Sequence, residues 1–193
     1  SSVYGSNNNT PYTESQKIDA PKSIYAATKK SNELFANTYS EIFKIRTTGL
    51  RYFTVYGPWG RPDMAAMTFI SKILNNEYID VYNNGKMKRD FTYIDDIANG
   101  TFQILKKNLT KKYPLSNVFN LGNSSPIMLL NFIKLIEKHL NKKAKLKFLP
   151  LQLGDLKSTH SNILKAKNYF NYSPKTPIDI GLKKLIKWYL DYY

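Results

Sequence analysis

Cysteine is absent from all 193 residues, which excludes disulfides, thiolate nucleophiles and cysteine-ligated metals together. That absence fits the cytoplasm. Histidine is nearly absent as well: His139 and His160 stand alone, with no clustered carboxylates, so no metal site is expected. No apolar run approaches the roughly 20 residues needed to cross a bilayer, and no membrane partner is expected. Arginine is scarce, accounting for only four (Arg46, Arg51, Arg61, Arg89) of the 29 basic residues. The net charge of +15 invites a nucleic-acid reading. Its make-up argues otherwise, because the rigid fork that binds phosphate is arginine's, while most of the charge here is paired lysine. Lys29-Lys30, Lys106-Lys107, Lys142-Lys143 and Lys183-Lys184 read as a solvated surface, with no nucleic-acid partner.

What is present points to a folded protein. Hydrophobic residues make up 42% of the chain and aromatics 14%, too apolar for a disordered polymer. Ser1-Ser2-Val3-Tyr4-Gly5 reads as the end of a strand, and residues 6–22 as a polar loop. Helical spacing of Ala26, Leu34, Phe35, Tyr39 and Ile42 predicts a helix over 23–43. The β-branched and aromatic run over 47–55 predicts a strand, followed by a Gly/Pro-rich loop at 57–62. Beyond it, strands are predicted at 78–82, 89–93, 117–121 and 145–149. They alternate with helices at 64–74, from a cap at Asp95 to 107, from Ser125-Pro126 to about 140, at 161–169 and at 178–192. Such alternation indicates an α/β architecture.

Tyr25 and Lys29 stand four residues apart at the start of the first helix, a spacing that puts both side chains on one face. A phenol is a poor base at neutral pH, and an ammonium beside it favours the phenolate, which is how a tyrosine becomes a general base. Tyr-x-x-x-Lys alone is weak, since on a helix it is usually surface decoration.

Its surroundings are more specific. Ser1-Ser2-Val3-Tyr4-Gly5 precedes Tyr25-Ala26-Ala27-Thr28-Lys29, then come Leu50-Arg51-Tyr52-Phe53-Thr54-Val55-Tyr56-Gly57-Pro58 and Arg89-Asp90-Phe91-Thr92-Tyr93-Ile94-Asp95-Asp96-Ile97. Gly154-Asp155 and a terminal helix carrying Trp188-Tyr189 complete the series. In this order the segments resemble the extended short-chain dehydrogenase/reductases, the NAD-dependent epimerase/dehydratase family. Within it, Gly57-Pro58-Trp59-Gly60-Arg61-Pro62-Asp63-Met64-Ala65 is similar to the UDP-glucuronate 4-epimerases.

The resemblance implies the C-terminal part of a Rossmann-like doubly wound parallel sheet with a smaller α/β substrate-binding lobe. Residues 1–60 would complete the NAD-binding domain and 61–193 form mostly the lobe, with segments near 90–121 returning to the Rossmann domain. It also implies a fragment: the Gly-rich strand–turn–helix that holds the NAD pyrophosphate is not in the sequence. The family's catalytic Ser or Thr would fall one residue ahead of Ser1. Ser1 and Ser2 are the nearest hydroxyls, and they stand where the related dehydratases carry Asp-Glu, which favours an epimerase.

Roles follow from the same likeness. Tyr25 is the catalytic base; Lys29 assists it, and both meet the NAD ribose region, with Phe53 beside the nicotinamide. Thr54, where many galactose enzymes have Asn, and Arg61, whose guanidinium suits a carboxylate, face the sugar. Tyr82 packs on uracil, Arg89 binds the diphosphate, Gln152 replaces an arginine of the galactose enzymes, and Asp155 meets a ribose hydroxyl. Other readings stay open: Tyr82 as core aromatic, Asp155 as a turn or cap residue, Arg89 as a surface ion pair, Arg61 as a solvent-facing loop residue. The expected reaction is NAD-dependent inversion at C4 of a UDP-sugar, UDP-glucuronate to UDP-galacturonate. The alternatives are a UDP-glucose or UDP-N-acetylhexosamine 4-epimerase and a truncated, non-catalytic remnant. A homodimer, with the long helix from Tyr25 supplying the contact, fits the family.

Overall fold

A computed structural model describes residues 1–5, 7, 9–107, 114–152 and 155–193; Ser6, Asn8 and Gly154, which enter expectations above, lie outside the described residues. Helix α1 spans Ile24–Phe43. It begins there because Ser23 is extended and its Oγ accepts a hydrogen bond from the Ala26 amide at 3.1 Å, and it ends at Lys44 in the left-handed conformation. Strands β1 (Thr47–Tyr52) and β2 (Thr54–Tyr56) follow, then α2 (Ala65–Leu74), β3 (Tyr78–Val81), β4 (Lys88–Arg89) and β5 (Phe91–Tyr93). After these come α3 (Ile94–Lys106), β6 (Ser116–Leu121), β7 (Ile127–Met128), α4 (Leu129–Leu140), β8 (Lys145–Phe148), α5 (Leu164–Phe170) and α6 (Ile178–Tyr192).

The strands pair parallel as β1–β6, β2–β5 and β3–β8, while β4–β7 is antiparallel. Parallel partners need crossovers, and helices supply them, so the chain is α/β. One hydrophobic cluster joins α2, α4 and α6 to β3 and β5 through Ile70, Ile79, Phe132, Ile136, Leu182 and Leu185. A second joins α3, β6 and α5 through Ile104, Phe119, Leu121 and Phe170. A third, smaller one gathers Val3, Tyr4, Tyr12, Ile18 and Phe53.

Several local expectations are corrected. The opening segment is a short 3-10 turn over Ser2–Tyr4, not a strand end. The strand over 47–55 divides at Phe53, because its two halves pair with different strands, β6 and β5. The strand over 89–93 divides at Asp90 for the same reason, β4 pairing with β7 and β5 with β2. Asp95 does not cap α3: Tyr93 holds that position, and Asp96 instead accepts the amides of Lys175 and Thr176 ahead of α6. The fifth helix starts at Leu164, three residues later than expected, because Ser161 is engaged by Asp90. Strand β7 is too short to show a period. On α1 only Ala26 and Ser40 are buried, while Leu34, Phe35, Tyr39 and Ile42 are each more than half exposed. Among the described residues no helix is long and apolar enough to cross a membrane.

Candidate active site

The first turn of α1 carries Tyr25, 58% exposed, and the Lys29 Nζ stands 5.2 Å from its ring centroid. Cation and phenol therefore share one face, as the four-residue spacing demands. A buried network fixes that face. Arg51 on β1 donates from Nε and Nη2 to the two carboxylate oxygens of Glu33, at 2.7 and 2.9 Å, and from Nη1 to the Tyr4 hydroxyl at 3.0 Å. Tyr4 in turn donates to Asn120 Oδ1 at 2.6 Å. Burial alone would lower the Arg51 pKa, but Glu33 and Tyr4 outweigh it and raise it, so the guanidinium stays charged. Burial pushes the Tyr4 hydroxyl up despite Arg51, keeping it a neutral donor. This two-pronged pair locks α1 to β1 one helical turn beyond Lys29. Its sequence signal is an arginine between Leu50 and Tyr52 inside a strand.

Tyr25 forms a wall between two concavities. On one side is a cleft of about 370 Å³ whose lining includes Lys29, Glu33, Arg51 and Ser2. On the other is a cleft of about 630 Å³ lined by Ser1, Ser2, Phe53, Thr54, Trp59 and Arg61 among others. A third of about 490 Å³ holds Thr54, Tyr82, Arg89, Phe91, Gln152 and Asp155. A small concavity of about 220 Å³ lies against residues of the second and third, with Ser1, Ser2, Thr54, Arg89 and Asp155 in its wall and Lys22 and Ser23 beside them. Thr54 lines all three of these, so they adjoin around it. The three larger clefts fall in the size range of small-molecule sites.

The expected site residues thus converge on one region, with differences in detail. Thr54 lies on β2, and Tyr82 opens a 3-10 turn, half-buried, rather than ending a strand. The Phe53 ring is buried, tilted against Tyr4 and Tyr12 at 6.2 and 6.4 Å. Arg89 donates to Asp155 at 2.7 Å; burial pulls its pKa down, with Asp155 and Tyr12 opposing. Gln152 is exposed at the rim. Arg61 shares the large cleft with Tyr25, but its fork is closed on Asp63, Nε to Oδ1 at 3.0 Å and Nη2 to Oδ2 at 2.5 Å, with both side chains largely exposed. The loop carrying it is possible because Gly57 adopts φ 148°, where a Cβ would stand 2.3 Å from Ile94. Among the described residues no three His, Cys, Asp or Glu gather to hold a metal.

The chain belongs to the NAD dependent epimerase/dehydratase family, whose description matches residues 1–122, and its fold is the Rossmann-like α/β fold of that family. Protein CapI of Staphylococcus aureus is 46% identical over 206 residues, covering 100% of this chain and 62% of that protein. UDP-glucuronate 4-epimerase 1 of Arabidopsis thaliana is also 46% identical, over 208 residues, covering 100% of this chain and 48% of the plant protein. Among solved structures, the UDP-glucuronic acid 4-epimerase of Bacillus cereus in complex with UDP-glucuronic acid and NAD superposes with a TM-score of 0.90 at 36% identity. There the match covers 100% of this chain and 60% of that one. The chain therefore spans about half to three fifths of the length of these relatives.

Proposed function

We propose that the protein carrying this chain is an NAD-dependent UDP-sugar 4-epimerase, with UDP-glucuronate and UDP-galacturonate as its substrate and product. The observation that carries the reading is the placement of Tyr25: beside Lys29, and facing a cleft that also holds Arg61 and Thr54 and adjoins Tyr82, Arg89 and Asp155. The relatives named above support the acidic substrate.

Residues 1–60 are read as the end of the NAD-binding domain and 61–193 as mostly the substrate lobe, with segments near 90–121 returning to the NAD-binding domain. The second hydrophobic cluster, in which Leu50 and Val55 pack with Ile97, Ile104, Phe119 and Leu121, supports that return. Tyr25, Lys29 and Phe53, with Ser1 and Ser2 nearby, fit the nicotinamide-ribose end of a dinucleotide, because they present a phenol, an ammonium and hydroxyls to open clefts. NAD bound there supplies the acceptor and donor of hydride. Tyr25 accepts the proton of the C4 hydroxyl as that carbon is oxidised and returns it after the 4-keto sugar has turned over in the large cleft. Lys29 supplies the positive charge one turn away. Arg61 takes the substrate carboxylate in its fork, displacing Asp63. Arg89 takes the diphosphate, Tyr82 packs against uracil, Asp155 meets the ribose and Gln152 closes the rim. The exposed apolar face of α1 fits a second copy of the protein, giving a homodimer, and the lack of cysteine fits the cytoplasm.

Full-length protein incubated with UDP-glucuronate and NAD should yield UDP-galacturonate, followed by proton NMR, and Tyr25→Phe should abolish the conversion. Near-normal turnover by Tyr25→Phe would end this reading.

A further inference from the structure

The loop that bears Arg61 is held from behind by the last turns of α6. Trp59 lies in the left-handed region, φ 63°, a conformation that a bulky side chain adopts only where its surroundings fix it. Here the surroundings are aromatic. The Trp59 ring centroid is 5.3 Å from that of Trp188 and 5.0 Å from that of Tyr192, the latter edge to face. Trp188 and Tyr192, one turn apart on α6, stack on each other at 5.2 Å with 17° between planes. Contacts of this geometry are attractive beyond the area they cover. They explain why a tryptophan that is 73% exposed has a defined position.

The same helix fixes the other end of the loop. Gly181 on α6 approaches Tyr56 so closely that a Cβ there would stand 2.1 Å from the phenol oxygen, and Tyr56 directly precedes Gly57. Around and beyond Trp59 the backbone turns tightly: the Gly60 amide donates to the Gly57 carbonyl at 3.3 Å, and the Met64 amide to the Arg61 carbonyl at 3.1 Å. Arg61 lies where these two turns meet, two residues beyond Trp59. Trp59, Arg61 and Tyr25 all line the large cleft, while Trp188 and Tyr192 do not.

We propose that Trp59, clamped by Trp188 and Tyr192, is a positioning residue that holds the Arg61 guanidinium where a sugar carboxylate can take it from Asp63, so that the end of α6 is a remote determinant of selectivity for acidic over neutral UDP-sugars. The proposal rests on Arg61 as the carboxylate ligand, as proposed above. A bidentate pair tolerates little error in distance or direction, and Asp63, already holding the fork, captures Arg61 whenever the loop relaxes.

The test uses the full-length protein and the binding of UDP-glucuronate, UDP-glucose and UDP by calorimetry. Tyr192→Ala weakens UDP-glucuronate about tenfold, some 1.4 kcal/mol, and leaves UDP and UDP-glucose unchanged. Trp59→Ala produces the same loss for the acidic ligand, the double variant loses no more than Trp59→Ala alone, and Tyr192→Phe restores binding. Trp59 and Trp188 are both in the clamp, so a change in the tryptophan region of the near-ultraviolet circular dichroism caused by Tyr192→Ala, and absent when Tyr192→Ala is made in the Trp59→Ala background, reports loss of the clamp independently of ligand. Equal weakening of all three ligands, additive losses in the double variant, or unchanged UDP-glucuronate affinity in both single variants overturns the proposal. Arg61→Ala separates the two levels. If it weakens UDP-glucuronate while the clamp variants do not, only the clamp is wrong; if it has no effect, the carboxylate reading itself is wrong.

Discussion

Arg89 Nη2 and Asp155 Oδ1 stand 2.7 Å apart across the third cleft, joining β4 to a segment 66 residues later. Asp155 accepts in turn from the Leu156 amide at 2.8 Å, a second hold on its carboxylate besides Arg89. Both are proposed ligands of the same nucleotide, and the pair gives Arg89 an anion to face until a diphosphate arrives.

Asp155→Asn should therefore destabilise the ligand-free protein by about 1–3 kcal/mol, between the values for exposed and fully buried ion pairs, because Arg89 is left mostly buried without its counter-charge. UDP should recover part of that loss by replacing the missing anion. Urea unfolding with and without UDP measures both. A variant that unfolds at the wild-type urea concentration would show that the pair carries no weight.

Asp90 should be the costliest single carboxylate to remove. It is fully buried and accepts from the amides of Asn123, Ser124 and Ser161 at 3.1, 3.1 and 2.8 Å and from the Ser161 hydroxyl at 2.5 Å. Asp90→Ala strands those donors and should cost about 3–5 kcal/mol, whereas Ser161→Ala, which removes one donor and leaves the carboxylate satisfied, should cost about 1 kcal/mol. Chemical denaturation of the two variants gives the ratio, and equal losses would contradict the hub.

The periodic parts of this fold were readable because their residues face one way. Helices α2, α4 and α6 bury the apolar stripe that their sequences show, and Tyr25 and Lys29 met because a helical turn brings residues four apart together. Contacts that join distant segments left no periodic trace. The strand over 89–93 divides because its halves pair with β7 and β2, Asp90 engages Ser161, 71 residues on, ahead of α5, and Arg51 reaches back to Glu33. The apolar positions of α1 predict the helix, which runs Ile24–Phe43, but spacing shows that a face exists and not what covers it. Arg61 is a candidate by its loop, and its pairing with Asp63 two residues on is a matter of side-chain direction that the order of residues does not fix.

A pH signature is expected where α4 meets the start of α6. Asp179 accepts from Lys138 Nζ and pairs with His139 Nε2, both at 3.0 Å. The Lys138 hydrogen bond first, then His139, holds the carboxyl below its ordinary range. A depressed carboxylate contributes stability that is fully present above its unfolded value, near 3.9, and that disappears as pH falls through the lower folded value. The gap in urea midpoint between wild type and Asp179→Asn should accordingly be present at about pH 5 and close as pH falls below about 4. A gap that persists undiminished at the acid end would rule this out.

Gly181 tests how tightly α6 must sit. A Cβ there would stand 2.1 Å from the Tyr56 hydroxyl oxygen, 2.8 Å from its ring carbon and 2.9 Å from Tyr93, and Tyr56 and Tyr93 are packed edge to face with buried rings that cannot swing aside. Gly181→Ala should push the helix outward and cost about 1–3 kcal/mol, as overpacking does, even though alanine is the better helix former. Tyr56→Phe removes the closest atom, together with only a long hydrogen bond to the Ile178 carbonyl at 3.4 Å, so the double variant should recover part of the loss but not all, because the ring itself remains. Thermal or urea unfolding of the two single variants and the double one measures the coupling. Additive behaviour, or a more stable Gly181→Ala, would mean that α6 has room to move and that the close approach to Tyr56 does not hold the loop after β2.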